Sequence, residues 1–491
     1  MIKYLLASAV LVCGSAGAQT LEAHWDKVDR VSKTTATLQV VVNPPLRRGS
    51  AIHHRVFSEL QKLGADYVRY VPWLPYPRLG VAELEPPAGG TTSWDFSLID
   101  PLTIDFLEAG KGHPVVLNFS TIPQWMFRTD KPVTYPQDPE QVTWNYTQGT
   151  ELRDPSMKEL GQYYARLVSW YVNGGFTDES GKRRESGHHY QVNYWEVLNE
   201  VDFEHRMTPE QYAARYDAIV SAIRRVAPHM KFVGTALAMP SDQPGFFEYF
   251  LNSKNHKRGI PLDAISYHFY ATPSADQTPE IQQYTFFEQA DRFLATVRYI
   301  EAIRQRLSPR TQTQINEIGS ISADDGGQDQ PGHTVKPIPD SYWNLSGATY
   351  AYLFGKLAAM GIDVAGESQL VGYPTQFPSV SMVDWNTGAP NARFRVLELL
   401  KSNFAPGDKI VAVSSGSPYV YGLGFIKPDG QRRLLLVNKR DRDIELKLPQ
   451  AASRIQVVDQ STKGEPPAGM PANGAGLKLG GLSVAVVDVP N

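Results

Sequence analysis

From Thr35 onward, short β-rich runs alternate with longer stretches of helical period, the pattern of a βα-repeating domain. The runs that read as strands are Thr37 to Val42, Tyr67 to Val71, Pro114 to Asn118, Tyr194 to Leu198, Phe232 to Thr235, Ala264 to Phe269, Thr313 to Asn316 and Val364 to Leu370. Eight strands are the number a closed (β/α)8 TIM barrel needs. Between them the spacing predicts helices, the best defined from Pro209 to Ala227. Thr208 can cap it, Pro209 suits its first turn and Gln211 completes a capping box. Tyr212, Tyr216, Ile219, Ile223 and Val226 fall on one face, and Pro228 ends the helix. Further helices are expected over Pro155 to Val172, Phe286 to Leu307 and Leu345 to Met360, the last closed by Gly361. These stripes read as core.

After Asn403 the helical period stops and strand-like runs follow: Tyr419 to Phe425, Arg433 to Val437, Ile444 to Leu448, Ile455 to Val458 and Leu482 to Val489. Turns such as Pro428-Asp429-Gly430 separate them, which predicts a small β-sandwich. Its residues carry little concentrated polar chemistry, so the expected role is packing against the barrel. The division is then an α/β barrel over 19–403 and a β-sandwich over 404–491, preceded by a leader over 1–18. The leader reads as a signal peptide, with Lys3, an apolar run from Tyr4 to Val12, and small residues ending Ala16-Gly17-Ala18. Val12 before Cys13 does not suit lipidation. A secreted or periplasmic protein is expected.

Composition narrows the function. The 491 residues are 42% hydrophobic and 20% charged, which excludes a disordered chain, a collagen and a coiled coil. A net charge of −3 and no long basic run give no reason to expect nucleic acid or anionic membrane as partner. Cys13 is the single cysteine and lies in the leader, so thiol catalysis, disulfides and thiolate metal sites are excluded for the mature chain. No later run is apolar for the roughly 18 residues a membrane span requires.

The barrel region exceeds the roughly 250 residues of a plain barrel. The excess lies largely in segments that follow strands: Ser120 to Asp154, Ala271 to Thr285, Gly319 to Asn344 and Val371 to Asn391. Such loops stand on the C-terminal face, where these barrels carry out chemistry. They hold Trp125, Phe127, Tyr135, Trp144, Tyr146, Tyr342, Trp343, Tyr373 and Trp385, flat rings that suit the apolar faces of sugars or simply form loop cores.

Asn-Glu closes two of the strands, in Tyr194-Trp195-Glu196-Val197-Leu198-Asn199-Glu200 and in Gln314-Ile315-Asn316-Glu317. These are the fourth and seventh strands by count, so both carboxylates stand at the same rim. Glycoside cleavage through a covalent intermediate needs two such groups about 5 to 5.5 Å apart, one to protonate the leaving oxygen and one to attack the anomeric carbon. A lone glutamate there would be a solvated rim carboxylate; two Asn-Glu pairs are harder to explain that way.

With these residues the chain resembles clan A of the glycoside hydrolases, and within it family 39, the β-xylosidases and α-L-iduronidases. The stretch Trp195-Glu196-Val197-Leu198-Asn199-Glu200-Val201-Asp202-Phe203-Glu204-His205 is similar to the iduronidase version, although the clan usually has proline where Val201 stands. The resemblance implies Glu200 as acid/base, Glu317 as nucleophile and Asn199 as partner of a sugar 2-hydroxyl. It implies that Arg69 hydrogen-bonds the nucleophile, whereas the residues alone allow a structural ion pair with Glu196. It places Asn118, His268 and Tyr270 in the glycone pocket, with His268 contacting substrate and Tyr270 bonded to the nucleophile; a core histidine is the alternative. Trp385 is placed to form a platform after the eighth strand, and Glu367 and Asp202 are rival carboxylates.

Neither metal nor cofactor is implied. The pairs His53-His54 and His188-His189 would point to opposite faces of a strand, and Gly89-Gly90 and Gly326-Gly327 lack phosphate-loop context. The expected function is an exported retaining glycoside hydrolase acting on a carbohydrate substrate. The competing reading is a non-catalytic glycan-binding protein on a degenerate hydrolase barrel. Glycone, anomer, exo or endo action and oligomeric state stay open; a uronate would need a cation, for which Arg78, Arg128 and Lys131 are on suitable loops.

Overall fold

The computed structural model describes residues 18–131, 134–144, 150–325 and 336–490. The expected leader as far as Gly17, with Cys13, and the loop residues Tyr146, Gly326 and Gly327 lie outside them. Eight parallel strands close a barrel: β1 (Thr35–Val41), β2 (Val68–Val71), β3 (Val115–Leu117), β4 (Tyr194–Glu196), β5 (Lys231–Leu237), β6 (Ala264–Ala271), β7 (Gln312–Ser320) and β8 (Val364–Glu367). Each strand neighbours the next in sequence, and β8 returns to β1 with Val364 opposite Thr35. All eight expected strands are therefore present. Their apolar residues are buried on both faces, as a barrel sheathed in helices requires.

The helix Pro209–Val226 forms with the capping box intact: Gln211 N donates to Thr208 Oγ1 at 3.3 Å and Thr208 N donates to Gln211 Oε1 at 3.0 Å. Its buried stripe includes Tyr212, whose hydroxyl donates to Val197 O at 3.0 Å and accepts from Thr235 N at 2.7 Å. One helix residue thus braces the ends of β4 and β5. The helix Pro279–Leu307 begins earlier than the expected Phe286. Its first turns expose Ile281 and Tyr284, so they lack the one-sided stripe that marks a helix in sequence. Asp340–Met360 likewise begins before Leu345, and Gly361 ends it at φ 81°, as expected.

The C-terminal strands form a seven-stranded, mainly antiparallel sheet in the order Gln19–Val31, Lys409–Ser415, Val420–Ile426, Arg432–Asn438, Val484–Val489, Ile444–Val458, Met470–Leu479. The sheet curls until Gln19 meets Leu446. The two runs expected at Ile444 and Ile455 are one strand with an irregular register between Lys447 and Arg454. The first strand corrects the expected boundary, since residues 19–31 pair with Lys409–Ser415, Leu21 opposite Ser415 and Val31 opposite Lys409. It lies at the sheet margin with Leu21 as its only fully buried side chain, so it carries no apolar alternation to announce it.

Alternation explains how the two units join. Leu434, Leu436 and Val487 point into the sandwich core, whereas Leu435, Val437, Val484 and Val486 belong to the same core as the barrel helices. Each fully buried side chain of this size contributes about 1.5–3 kcal/mol. Phe404 packs tilted against Phe425 across the junction, with ring centroids 4.2 Å apart. Among the described residues no helix is long and apolar enough to cross a membrane.

Candidate active site

The C-terminal ends of the strands open into a cleft of about 1300 Å³ that contains Asn199, Glu200, His268, Tyr270 and Glu317. Five of the predicted site residues therefore meet at the expected rim. Their backbone is shaped for it. Beyond β4 the chain leaves the strand through Leu198 at φ 65° and Glu200 at φ 41°, left-handed conformations that side chains seldom adopt. Glu200 N donates to Ala236 O at 2.8 Å, and Asn118 Nδ2 to Leu198 O at 3.1 Å, which pin this turn to its neighbours. On β7 the pairing with β6 shifts between Gln314 and Glu317. The irregularity turns two successive side chains inward: Asn316 Nδ2 donates to Glu196 Oε1 at 2.7 Å while Glu317 faces the cleft.

Arg69 on β2 is fully buried and ties the floor together. Its Nε donates to Glu196, its Nη1 donates to Glu317 Oε1 at 2.5 Å and to Gln39 Oε1 at 2.6 Å, and its Nη2 donates to Asn199 Oδ1 at 2.6 Å. The two readings of Arg69 both hold. It pairs with the structural carboxylate and with the rim carboxylate at once, which only the planar fork of arginine can do. Glu196 is saturated by further donors: Asn118 Nδ2 at 2.5 Å, Ser266 Oγ at 2.5 Å and Asn316.

Glu317 and Glu200 are pushed in opposite directions. Burial alone would raise the pKa of Glu317, but the charges of His268 and Arg69 and the hydrogen bonds from Tyr270 and Arg69 outweigh it and hold the carboxyl below its usual range. Tyr270 OH donates to Glu317 Oε2 at 2.5 Å and shares a 2.6 Å contact with Ser368 Oγ. Gly319 makes room for that ring: a Cβ there would lie 2.9 Å from Tyr270. Burial pushes Glu200 up, against a hydrogen bond from His268, with the charge of Glu317 adding to the rise. His268 Nδ1 lies 2.9 Å from Glu200 Oε1 and 3.5 Å from Glu317 Oε2. Burial would lower its pKa, yet the two glutamates raise it. One oxygen of Glu200, one of Glu317 and a His268 nitrogen all lie within 4.8 Å of one another. That spacing could suit a cation, but the fixed charge of Arg69 already occupies Glu317, which disfavours a second cation there.

Two predicted substrate contacts fall elsewhere. Asn118 is buried inside the barrel, where its amide holds Glu196 and the Leu198 carbonyl, and it does not line the cleft. It stands one residue past β3 and its side chain follows the inward parity of the strand. Trp385 packs half-buried against the barrel core and is not part of the cleft wall; it sits in the turn Asp384 to Gly388, closed by the bond from Gly388 N to Asp384 O. The rivals are structural. Glu367 pairs with Arg393 at 3.0 Å inside the protein, and Asp202 accepts from the Ala238 and Met239 amides at 3.0 and 2.9 Å. Of the expected loop aromatics, Trp144 lines the cleft, whereas Trp125, Phe127 and Tyr135 are buried beneath the loops and Tyr342 is buried in the first turn of the helix Asp340–Met360. Arg78, Arg128 and Lys131 do not line it.

Trp73, Phe377, Gln39 and Glu204 also line the cleft, although none of them is among the expected site residues. Trp73 and Phe377 complete an aromatic wall with Trp144: Trp73 lies edge-on to Trp144 at 5.3 Å and parallel to Phe377 at 6.2 Å. Trp73 follows β2 in a short loop, so a search of long loops passes over it. Gln39 on β1 braces Arg69 and donates to Ser368 Oγ at 2.5 Å. Glu204 accepts from Trp73 Nε1 at 2.6 Å and Asn199 Nδ2 at 2.9 Å. The one signal for it was its position one helical turn beyond Glu200.

Comparisons agree with this architecture. The family model described as Alpha-L-arabinofuranosidase 1 domain matches residues 141–293, which include Asn199, Glu200, His268 and Tyr270. A second, D-apionate lactonase, C-terminal immunoglobulin-like domain, matches residues 418–487. Among proteins of curated function none matches the sequence. The family 51 arabinofuranosidase of Xanthomonas axonopodis pv. citri superposes with a TM-score of 0.62 at 12% identity, covering 96% of this chain and 100% of that one. A glucosidase of Croceicoccus marinus gives 0.60 at 17% identity, over 96% of this chain and 99% of that one. A family 30 endoxylanase of Clostridium papyrosolvens gives 0.58 at 13% identity, over 97% of this chain and 100% of that one. At these identities the likeness establishes the fold, a TIM barrel carrying a C-terminal β-sheet domain, as the sequence pattern implied.

Proposed function

We propose that this chain is an exported, retaining glycoside hydrolase that cleaves O-glycosidic bonds with Glu200 as acid/base and Glu317 as nucleophile. The observation that carries the reading is the pair itself: carboxyl oxygens within 4.8 Å across the cleft, one group raised and the other lowered in pKa. A short separation favours double displacement, because inversion needs about 6.5–9.5 Å to seat a water.

Glu200, protonated, donates to the departing glycosidic oxygen. Glu317, ionised by Arg69, His268 and Tyr270, attacks the anomeric carbon, and the bond to the leaving oxygen breaks as the bond to its carboxylate forms. Glu200, now ionised, takes a proton from water, which attacks the same carbon and releases Glu317. Arg69 and Tyr270 stabilise the carboxylate as it leaves. The aromatic wall of Trp73, Trp144 and Phe377 supports a sugar as ligand, as do the arabinofuranosidase model and the hydrolase neighbours. The family 39 assignment rests on the Trp195 to His205 stretch, and export rests on the leader.

Hydrolysis of a panel of 4-nitrophenyl glycosides, including α-L-arabinofuranoside, β-D-xyloside, β-D-glucoside and α-L-iduronide, tests the activity. A 2-fluoro-glycoside inactivator tests the mechanism: mass gain on Glu317 is expected. Binding of glycans with no hydrolysis and no adduct would instead support the competing binding protein.

A further inference from the structure

Glu204 has no part in the two-glutamate chemistry, yet it stands at the centre of the cleft's hydrogen bonding. Phe203 N and Glu204 N both donate to Glu200 O, at 2.8 and 2.7 Å, so residues 200–204 make one tight turn that carries the Glu204 side chain back beside Asn199. A single oxygen, Oε1, accepts from the indole of Trp73 and from the amide of Asn199. The other, Oε2, is shielded from solvent and has no hydrogen-bond partner among the described residues. Burial and the charge of Glu200 hold the pKa of this carboxyl well above its ordinary value.

The Asn199 amide is consequently fixed at both ends. Arg69 can only donate, so it selects the oxygen of the amide, and Oε1 of Glu204, already the acceptor from Trp73, selects the nitrogen. Flipping the amide would set two donors and two acceptors against each other. The Trp73 ring is fixed by the same oxygen, and that ring carries the aromatic wall. We infer that Glu204 is a positioning residue that sets, through one oxygen, both the Asn199 amide facing the sugar 2-hydroxyl and the plane of the Trp73 platform. This rests on the proposed glycosidase reading. Contacts to the 2-hydroxyl strengthen in the transition state, so misalignment of Asn199 acts on turnover rather than on binding.

The test compares wild type, Glu204→Ala, Glu204→Gln, Asn199→Ala and the double variant Asn199→Ala/Glu204→Ala on the best 4-nitrophenyl glycoside and its 2-deoxy analogue. Glu204→Ala should lower kcat about 10²-fold with KM changed less than about threefold, the scale of a small misplacement in an active site. Most of the kcat loss should disappear on the 2-deoxy substrate and in the Asn199→Ala background, leaving only the smaller part that acts through Trp73. Glu204→Gln should stay within about fivefold of wild type, since its amide oxygen still accepts from both groups. An equal loss on both substrates, or additive losses in the double variant, overturns the inference. The Trp73 indole N–H resonance, assigned with Trp73→Phe, gives a readout independent of substrate: it should move and exchange faster in Glu204→Ala, and an unchanged signal also overturns the inference. Should Glu204→Ala fail to fold, Glu204→Leu takes its place in both measurements. A wild type that cleaves no glycoside sinks the glycosidase reading, while the indole signal still decides on Glu204.

Discussion

Nδ1 of His268 lies 2.9 Å from Oε1 of Glu200, opposite it on the cleft floor, and the imidazole leans toward the second carboxylate as well. It helps to hold Glu317 low by its charge and Glu200 down by its hydrogen bond, while burial drives Glu200 up.

The active form needs Glu317 ionised and Glu200 protonated. With the first lowered and the second raised, the profile of kcat/KM against pH should be a bell whose acid limb falls below, and whose alkaline limb above, the usual carboxylate range. His268→Ala removes an influence that lowers both groups, so both limbs should move to higher pH. Limbs that stay in place would show that the imidazole does not set the two states.

Glu317→Gln should reduce turnover about 10⁴-fold or more on every substrate, for want of a nucleophile. Glu200→Ala should cost about 10²–10⁴-fold on glycosides with poor leaving groups, much less on activated aryl glycosides, and be rescued by azide. Azide added to Glu317→Ala should give the glycosyl azide of inverted configuration, read by NMR. Normal hydrolysis by Glu317→Gln would remove the assignment.

Arg69 carries stability and chemistry together. Arg69→Met leaves Glu196 and Glu317 buried without their cation, and breaking one side of such a pair costs about 3–5 kcal/mol. Denaturant unfolding should show that loss. Arg69→Lys keeps the charge but cannot span Glu196, Glu317, Gln39 and Asn199, so activity should fall with it too. Full activity in the lysine variant would show the fork geometry to be unnecessary.

Away from the cleft, Glu83 is completely buried, and burial, with the charge of Glu179 adding, pushes its pKa up to about 8. The folded protein then keeps a proton that the unfolded chain gives up near its ordinary carboxylate pKa. Stability should fall as pH rises through that window and level off above about 8. Glu83→Gln removes this dependence, so chemical unfolding should show the variant gaining on wild type between about pH 5 and pH 9. Parallel stability curves would refute it.

Much of the molecule was legible in the chain itself. Period 2 and period 3.6 identified the eight barrel strands and the helix over Pro209–Val226, because strand and helix faces are written in neighbouring residues. Strand ends of a parallel barrel share one face, so Asn199, Glu200 and Glu317 could be placed together without coordinates. What the sequence withheld depends on partners far along the chain. Gln19–Val31 joins a sheet nearly 400 residues away through backbone bonds that leave no side-chain pattern. The family resemblance puts Asn118 in the glycone pocket and Trp385 follows the eighth strand, yet the Asn118 amide turns inward to Glu196 and Trp385 packs on the barrel core. The order of residue types thus determined the strands, the rim and the two glutamates. Only the closed barrel decided that Arg69 serves both Glu196 and Glu317, that Trp73 rather than Trp385 walls the cleft, and that Glu204 holds Asn199. Local spacing fixes which face a side chain can reach, whereas long-range closure fixes which groups it meets there.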